Sequence, residues 1–303
     1  MLTSFIVLWL LTISFTRVAW ADGLEPTRFI IYSGLKLAVY ESAGTEGPGV
    51  LLVHGNTSSA RSYARVLGSA FGERVRVAAV DLPGFGRSEN AARYDSAFLA
   101  GAIVAAAEAL HMQAGVFVGS SLGGHLLLQA SSRLPEAKGY FLFGAVPIGV
   151  APGLPAPFLT PEESYAGEAV NFGFVADLTS EQIAQYVSAF FRPGFHPIPN
   201  FFFVDGERTD PNTRAAVAAA VFGRDPTFQD EVDIVKDLPV PVALLLGERD
   251  AFVRPEYLQG LAPGIPNLWR SGIVTIDRTG HAIHWERDKL FLRLLRDFVR
   301  DVD

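Results

Sequence analysis

The sequence predicts an α/β fold, in which a mostly parallel β-sheet is covered by helices on both faces and carries a helical cap insertion. Short apolar runs alternate with longer helix-like segments through most of the 303 residues, the order expected of parallel strands joined by helical crossovers. Hydrophobic residues make up 49% of the chain, enough for one large core. The alternation stops over 147–238, which predicts a cap there and leaves 22–146 and 239–303 for the core.

Short patterns of apolar residues predict the strands and helices before residue 115. Residues 28–41 alternate on either side of Ser33-Gly34 and predict a hairpin. Buried strands are predicted for the apolar runs 50–53 and 75–80, and helices for the longer segments 58–71 and 98–111.

The remaining core elements continue the alternation. Residues 286–302 have apolar positions at helical spacing and predict a closing amphipathic helix. The other predicted elements are strands over 115–118, 140–145, 240–246 and 273–276, and a helix over 122–132.

The predicted cap is rich in proline and phenylalanine, with helices expected near 180–191 and 211–222. It contains 11 of the 23 phenylalanines. One interpretation is that these rings line an apolar substrate pocket. The alternative, favoured for any single ring, is that they pack the cap onto the core.

The most informative segment is residues 119–123, Gly-Ser-Ser-Leu-Gly, which lies between a predicted strand and a predicted helix. A strand, a tight turn and a helix around G-x-S-x-G form a nucleophile elbow. Small residues two positions away on each side avoid a clash at such a turn, so Ser121 is the predicted nucleophile. Ser120 does not fit this role, because Val118 and Leu122 occupy its flanking positions.

A serine nucleophile needs a base and an acid that orients the base. In this architecture the partners follow in the order Ser, Asp, His. Asp250 follows the apolar strand 240–246, and His281 follows the last strand in Thr279-Gly280-His281. Three loops at one sheet edge are therefore predicted to present Ser121, Asp250 and His281.

Other residues are alternatives for these roles. Glu248 lies closer to its strand end than the usual offset of the acid. His284 lacks a preceding turn glycine and is interpreted as a structural or pocket histidine. His54 is expected to order the loop it begins, and His125 to pack within the elbow helix. A metal site at His281 and His284 lacks a third ligand cluster, so no metal or other cofactor is predicted.

Acyl transfer also needs hydrogen-bond donors for the oxyanion. The backbone N–H of Leu122, directly after the nucleophile, is one predicted donor. The backbone N–H of Asn56, in the loop His54-Gly55-Asn56-Thr57, is the other.

Composition and the first residues bound the partners and the location. The formal net charge is −7 and no basic cluster is present, which argues against nucleic acid as a partner. There are no cysteines, which excludes disulfides, cysteine nucleophiles and thiolate metal sites. Residues 1–21 predict a signal peptide, because an apolar run over 5–15 precedes Ala19-Trp20-Ala21. That run is shorter than the roughly 20 residues of a membrane span. Export is expected; an uncleaved anchor or a misassigned start codon are the alternatives, since no Lys or Arg precedes the run.

Four motifs together resemble the α/β-hydrolase superfamily and imply its fold over residues 28–300. They are His54-Gly55-Asn56, the segment 81–88 (Asp-Leu-Pro-Gly-Phe-Gly-Arg-Ser), the elbow 119–124 and Gly280-His281. The serine at the nucleophile position differs from the aspartate of haloalkane dehalogenases and epoxide hydrolases.

A narrower resemblance is to the α/β-hydrolase-type N-acyl-homoserine lactonases. It rests on 54–59 (His-Gly-Asn-Thr-Ser-Ser), 121–125 (Ser-Leu-Gly-Gly-His) and 267–269 (Asn-Leu-Trp). The resemblance implies that Tyr186, in the cap, points at a bound lactone. Here Asp250 stands where that family has a glutamate, and the cap is only loosely similar.

These features predict a metal-independent serine hydrolase of carboxylic esters or lactones with an apolar acyl group, N-acyl-homoserine lactones being one candidate class. Two alternatives stay open. One is hydrolysis of a carbon–carbon bond in a ring-fission product, although the first loop of such enzymes usually continues Gly-Pro-Gly rather than Asn56-Thr57-Ser58. The other is a ligand-binding relic of the fold, which fold alone does not rule out.

Overall fold

The computed structural model describes residues 23–149 and 156–303. Its eight strands are β1 (Arg28–Tyr32), β2 (Leu35–Glu41), β3 (Glu46–Val53), β4 (Val75–Val80), β5 (Val116–Ser120), β6 (Gly139–Phe143), β7 (Val242–Gly247) and β8 (Val274–Ile276). They form one sheet in the order β1-β2-β4-β3-β5-β6-β7-β8. β2 is antiparallel to β1 and β4, and the other neighbours are parallel. The predicted mostly parallel sheet is therefore confirmed.

The register of the parallel strands brings several predicted site loops to one edge. Val53 pairs with Gly119, Gly119 with Leu142, and Leu142 with Leu244. Gly247 pairs with Ile276 in β8. Because these strands run in the same direction, the loops that follow β3, β5, β7 and β8 all leave the sheet at its carboxyl edge.

Eleven α-helices are found in the described residues. In the first half they are α1 (Ala64–Leu67), α2 (Ala70–Arg74), α3 (Ser96–Ala109) and α4 (Leu122–Ala130). Between β6 and β7 lie α5 (Ser180–Ser188), α6 (Asn200–Arg208), α7 (Pro211–Val221) and α8 (Glu231–Asp237). The last three are α9 (Pro255–Leu261), α10 (Ile283–Glu286) and α11 (Asp288–Val302).

The core lies in two layers, one on each face of the sheet. Successive strand residues point to opposite faces, so Leu51 joins one cluster of buried residues and Leu52 joins the other. Helices α3 and α4 pack in the first cluster, and α11 packs in the second through Phe291, Leu295 and Phe298. Helices thus cover both faces, as the sequence predicts.

Two predicted elements are shorter than expected for identifiable reasons. The helix predicted over 58–71 is interrupted at Gly68, where α1 ends and Ser69 caps α2 by accepting a hydrogen bond from the Gly72 N–H. The strand predicted over 140–145 ends at Phe143, because Gly144 has a φ of +59°, which no extended strand adopts.

The closing helix and three others also differ from the prediction. Arg287 is not helical (φ −127°) and separates α10 from α11 within the predicted span 286–302. Helices α6, α8 and α9 were not predicted. Helix α6 begins at Asn200, and its next three residues are phenylalanines, a run that shows no helical periodicity.

The segment assigned to a cap contributes a third apolar cluster. Ile183 and Tyr186 of α5 pack there with Phe201 and Phe202 of α6, against Trp285 of the core. The predicted signal peptide, 1–21, lies outside the described residues. None of the described helices has the length and apolarity to cross a bilayer.

Candidate active site

Ser121 occupies a strained turn between β5 and α4. Its φ is +48° and its ψ is −120°, a region that non-glycine residues rarely adopt. A Cβ on Gly119 would lie 2.6 Å from the Cα of Gly124, and one on Gly123 would overlap the carbonyl oxygen of Val53. Glycine is therefore required on both sides, as the sequence pattern predicts.

The loop after β3 lies directly against Ser121. A Cβ on Gly55 would be 3.2 Å from the Cβ of Ser121. Asn56 is the next residue after this close contact. Leu122 is the first residue of α4, where backbone N–H groups have no partner within the helix and favour negative charge. Both predicted oxyanion residues thus flank the serine. The Asn56 side chain is held in place, since its Nδ2 donates to the Gly173 carbonyl at 2.9 Å.

His281 and Asp250 form a buried pair. The Nδ1 of His281 lies 2.7 Å from Oδ2 of Asp250, and each residue is only 7% exposed. The second carboxylate oxygen accepts from the backbone N–H groups of Phe252 (2.8 Å) and Val253 (3.1 Å). An ionised Asp250 is an acceptor only. The neutral imidazole therefore carries its proton on Nδ1 and leaves the Nε2 lone pair free to accept a proton.

The imidazole of His281 is fixed from several sides. A Cβ on Gly144 would lie 2.7 Å from its Cε1. The ring of Phe252 meets it edge-on at 4.8 Å between centroids, and Phe190 lies at 6.1 Å. The sequence reasoning missed Gly144, although a glycine directly after an apolar strand at the carboxyl edge is the available signal.

The residues named as alternatives for the acid and the base have different partners. Oε2 of Glu248 accepts from the Arg278 backbone N–H at 2.7 Å, away from the buried pair. His54 donates from Nδ1 to the Gly55 carbonyl and accepts at Nε2 from the Leu82 N–H. Burial lowers its pKa to about 4, and the neutral ring orders its loop as expected.

His125 and His284 have contrasting surroundings. Nδ1 of His125 lies 2.7 Å from Oε2 of the buried Glu231, on the elbow helix but outside the His281–Asp250 pair. His284 is 4% exposed, and neither of its ring nitrogens has a partner. Burial lowers the pKa of His284 to about 3.

One cavity lies between the sheet edge and the insertion. It is lined by Ser121, Leu122, Asn56 and His281. Its walls are mainly apolar. Among the described residues that line it there is no lysine or arginine. The apolar lining residues are Leu126, Ile148, Phe158, Leu159, Val170, Phe174, Val217, Ala220, Val221, Phe228, Phe252 and Val253.

Tyr186 reaches the same cavity from α5. A Cβ on Gly173 would overlap its hydroxyl, so the glycine makes room for the tyrosine. Burial raises the pKa of Tyr186 well above its usual value, while a hydrogen bond with the Asn56 side chain acts in the opposite direction. Gly173 therefore contacts both Tyr186, the tyrosine implied by the narrower resemblance, and Asn56, a predicted oxyanion residue. The described residues contain no group of three or more acidic or histidine side chains that could hold a metal ion.

Comparisons with known proteins agree with this fold. A family model described as "Alpha/beta hydrolase family" matches residues 50–294. The 2-hydroxymuconate semialdehyde hydrolase of Pseudomonas putida is 26% identical over 288 residues, which is 92% of this chain and 96% of the relative.

Two solved structures are also similar. The N-acyl homoserine lactonase AidH in complex with N-butanoyl homoserine superposes with a TM-score of 0.82 at 27% identity, over 91% of this chain and 96% of that one. An esterase from Exiguobacterium antarcticum superposes with a TM-score of 0.74 at 20% identity, over 90% and 99% of the two chains; at that identity it supports the fold alone. Both resemblances predicted from the sequence are confirmed.

Proposed function

Because this chain belongs to the alpha/beta hydrolase family, we propose that it is a metal-independent serine hydrolase of carboxylic esters or lactones with an apolar acyl group. One observation carries the proposal. The 2.7 Å contact between Asp250 and Nδ1 of His281 leaves Nε2 as the base, and His281 lines the same apolar cavity as Ser121.

In the proposed first half-reaction, Ser121 Oγ attacks the substrate carbonyl while Nε2 of His281 takes its proton. Asp250 holds the required tautomer and stabilises the imidazolium. The N–H groups of Asn56 and Leu122 stabilise the oxyanion; losing one such donor typically costs about 3–4 kcal/mol in the barrier. His281 then gives the proton to the leaving alcohol, and an acyl-enzyme remains.

In the second half-reaction, water attacks the acyl-enzyme with His281 again as base. For a lactone the leaving hydroxyl stays attached to the acyl group, so it can close the ring again. Hydrolysis must therefore be faster than this return step.

N-acyl-homoserine lactones are the specific substrate class we favour. The similarity to AidH supports this choice, as does Tyr186, which lines the same cavity as Asn56. The apolar walls suit the hydrocarbon tail of such a lactone.

Hydrolysis of a carbon–carbon bond is the second candidate, favoured by the similarity to the Pseudomonas putida enzyme. A muconate-type substrate carries a carboxylate. The described cavity lining offers no lysine or arginine to pair with it. We therefore rank this activity below ester and lactone hydrolysis.

The test is turnover of p-nitrophenyl butyrate, a series of N-acyl-homoserine lactones and a ring-fission dienoate, all with chelator present. Lactone turnover by the wild type that disappears in Ser121→Ala supports the lactonase assignment. Ester turnover alone leaves an esterase, and turnover of the dienoate alone favours the second candidate. Ser132→Ala, at an exposed serine just beyond α4, is the matched control and should retain activity.

A further inference from the structure

A second, smaller cavity lies beside the catalytic residues, and we call it the rear chamber. It shares Asn56, Ser121 and His281 with the apolar cavity, and its other walls include Ser58, Ser62 and His284. Because the three shared residues line both cavities, an acyl group bonded to Ser121 would lie next to both of them.

The ring of His284 forms part of the wall of this chamber. It packs against Tyr63 and Phe143, with centroids at 5.1 and 5.0 Å. Both ring nitrogens are buried and neither has a hydrogen-bond partner. Leaving buried polar groups unpaired costs about 1–3 kcal/mol each, and such groups are normally paired with protein or ordered water.

The chamber has room for a water molecule. Its cavity volume is about 20 Å³, and a volume of about 10–15 Å³ suffices for one water. Ser58 and Ser62, which each carry a hydroxyl group, line the chamber together with His284. Buried waters have about two to four polar partners, and these three residues can supply that number to a single water.

The protonation of His284 suits it to hold a neutral water. Burial is the main cause that lowers the pKa of His284 to about 3, and repulsion between the protonated ring and His281 or Arg65 lowers it further. The neutral ring therefore presents one N–H donor and one lone-pair acceptor at working pH. It does not compete with His281 for the role of base.

We propose that the rear chamber binds the water that hydrolyses the acyl-enzyme and that His284 is the positioning residue for it. The inference rests on the proposed serine-hydrolase function. The water oxygen forms a bond to the carbonyl carbon, and the carbonyl electron pair moves onto the oxygen held by Asn56 and Leu122. The water proton passes to Nε2 of His281, which returns it to Ser121 Oγ as the ester bond breaks and the acid leaves.

This arrangement also addresses the return reaction of a lactone. A water held in the rear chamber is already beside the acyl-enzyme when the tethered hydroxyl is released. Both the hydroxyl and the water exchange a proton with Nε2 of His281, so they compete for the position beside it, and a water already bound nearby has the advantage. A positioned water shortens the life of the acyl-enzyme and so limits ring closure.

The test separates acylation from deacylation with p-nitrophenyl butyrate. The rate of the initial p-nitrophenol burst reports acylation, and the steady rate together with intact-protein mass reports deacylation. In His284→Phe, whose ring fits the aromatic surroundings, we expect deacylation to fall about tenfold and the acyl-enzyme to accumulate, with acylation within about threefold of wild type. His284→Gln, which keeps a donor and an acceptor, should recover part of the loss.

Two further variants complete the design. Ser62→Val reduces the volume of the chamber while His284 is kept, and it should also slow deacylation selectively. Tyr63→Phe removes the hydroxyl that donates to the Val53 carbonyl beside the same ring, and should leave the ratio of the two rates unchanged.

The failure of this inference is distinguishable from that of the proposed function. If the wild type forms an acyl-enzyme but the His284 and Ser62 variants lose both rates equally or neither, the positioning role is overturned alone. If the wild type, like Ser121→Ala, forms no acyl-enzyme from any ester or lactone, the serine-hydrolase proposal falls, and this inference falls with it.

Discussion

Gly144 lies against the imidazole edge of His281, so closely that a Cβ at residue 144 would be 2.7 Å from Cε1. Its φ of +59° also lies in the left-handed region that favours glycine. This single residue ends β6 and sets one wall of the pocket that orients the predicted base. The contact makes the position testable without altering a reacting group.

We expect Gly144→Ala to lower kcat/KM at least about tenfold, because the added methyl must displace the His281 ring from its productive position. The backbone strain alone should cost about 1 kcal/mol of the free energy of unfolding. Gly167→Ala is the matched control. Gly167 has a similar φ of +54° but no atom near its Cβ position. Equal activity losses in both variants would mean that backbone strain, rather than the His281 contact, causes the effect.

Asp250→Asn tests the acid assignment against Glu248. The amide at residue 250 can donate to Nδ1 of His281 and so stabilise the wrong tautomer, for which we expect a loss in kcat of about 10³-fold or more. Glu248→Gln should stay within about twofold of wild type, since Glu248 contacts Arg278 rather than His281. Measured kcat values of the two variants decide the matter, and a larger loss at Glu248 would reverse the assignment.

How far the sequence predicts this protein depends on the range of the interaction. The strands and most helices are visible in local periodicity, and Ser121, Asp250 and His281 in motifs at strand ends. Gly144 was missed because its role depends on a contact with a residue far along the chain. Similarly, the buried ion pair between Arg61 and Asp205 joins the first loop to α6, a helix whose apolar run has no periodic signal.

His284 shows the same limit within the site. Its sequence context indicates a structural or pocket histidine, and the structure places it in the wall of the rear chamber. The absence of a partner for both ring nitrogens emerges only when the elements around α10 are assembled. Motif spacing carries no information about that.

Ala220 in α7 lines the apolar cavity, which makes it a probe of acyl-chain length. We expect Ala220→Phe to shift the preferred chain length of esters and lactones to shorter tails, because the ring occupies space that a long tail would fill. KM for long-chain substrates should rise about tenfold, with short-chain turnover nearly unchanged. Ala215→Phe, at an exposed position of the same helix, is the control; an unshifted chain-length profile in Ala220→Phe would place the acyl tail elsewhere.

Acid should destabilise the fold through its buried neutral histidines. The folded-state pKa of His54 is lowered to about 4 and that of His284 to about 3, against about 6.5 in the unfolded chain. The unfolded state therefore binds more protons below pH 6.5, and stability must fall as the pH decreases from about 6.5 towards 4. Over this pH window, protonation of the unfolded chain at each histidine should lower the free energy of unfolding by about 3 kcal/mol.

Asp81 acts in the opposite direction over part of the same window. Burial raises its folded-state pKa to about 6, so its contribution is fully present at low pH and is lost as the pH rises through that value. Urea unfolding at pH 7 and pH 4.5 measures the net result, and His284→Phe removes one histidine from it. We expect this variant to lose less stability on acidification than the wild type, by about 2 kcal/mol. An identical pH dependence in the two proteins would mean that His284 is protonated, or equally accessible to protons, in the folded state.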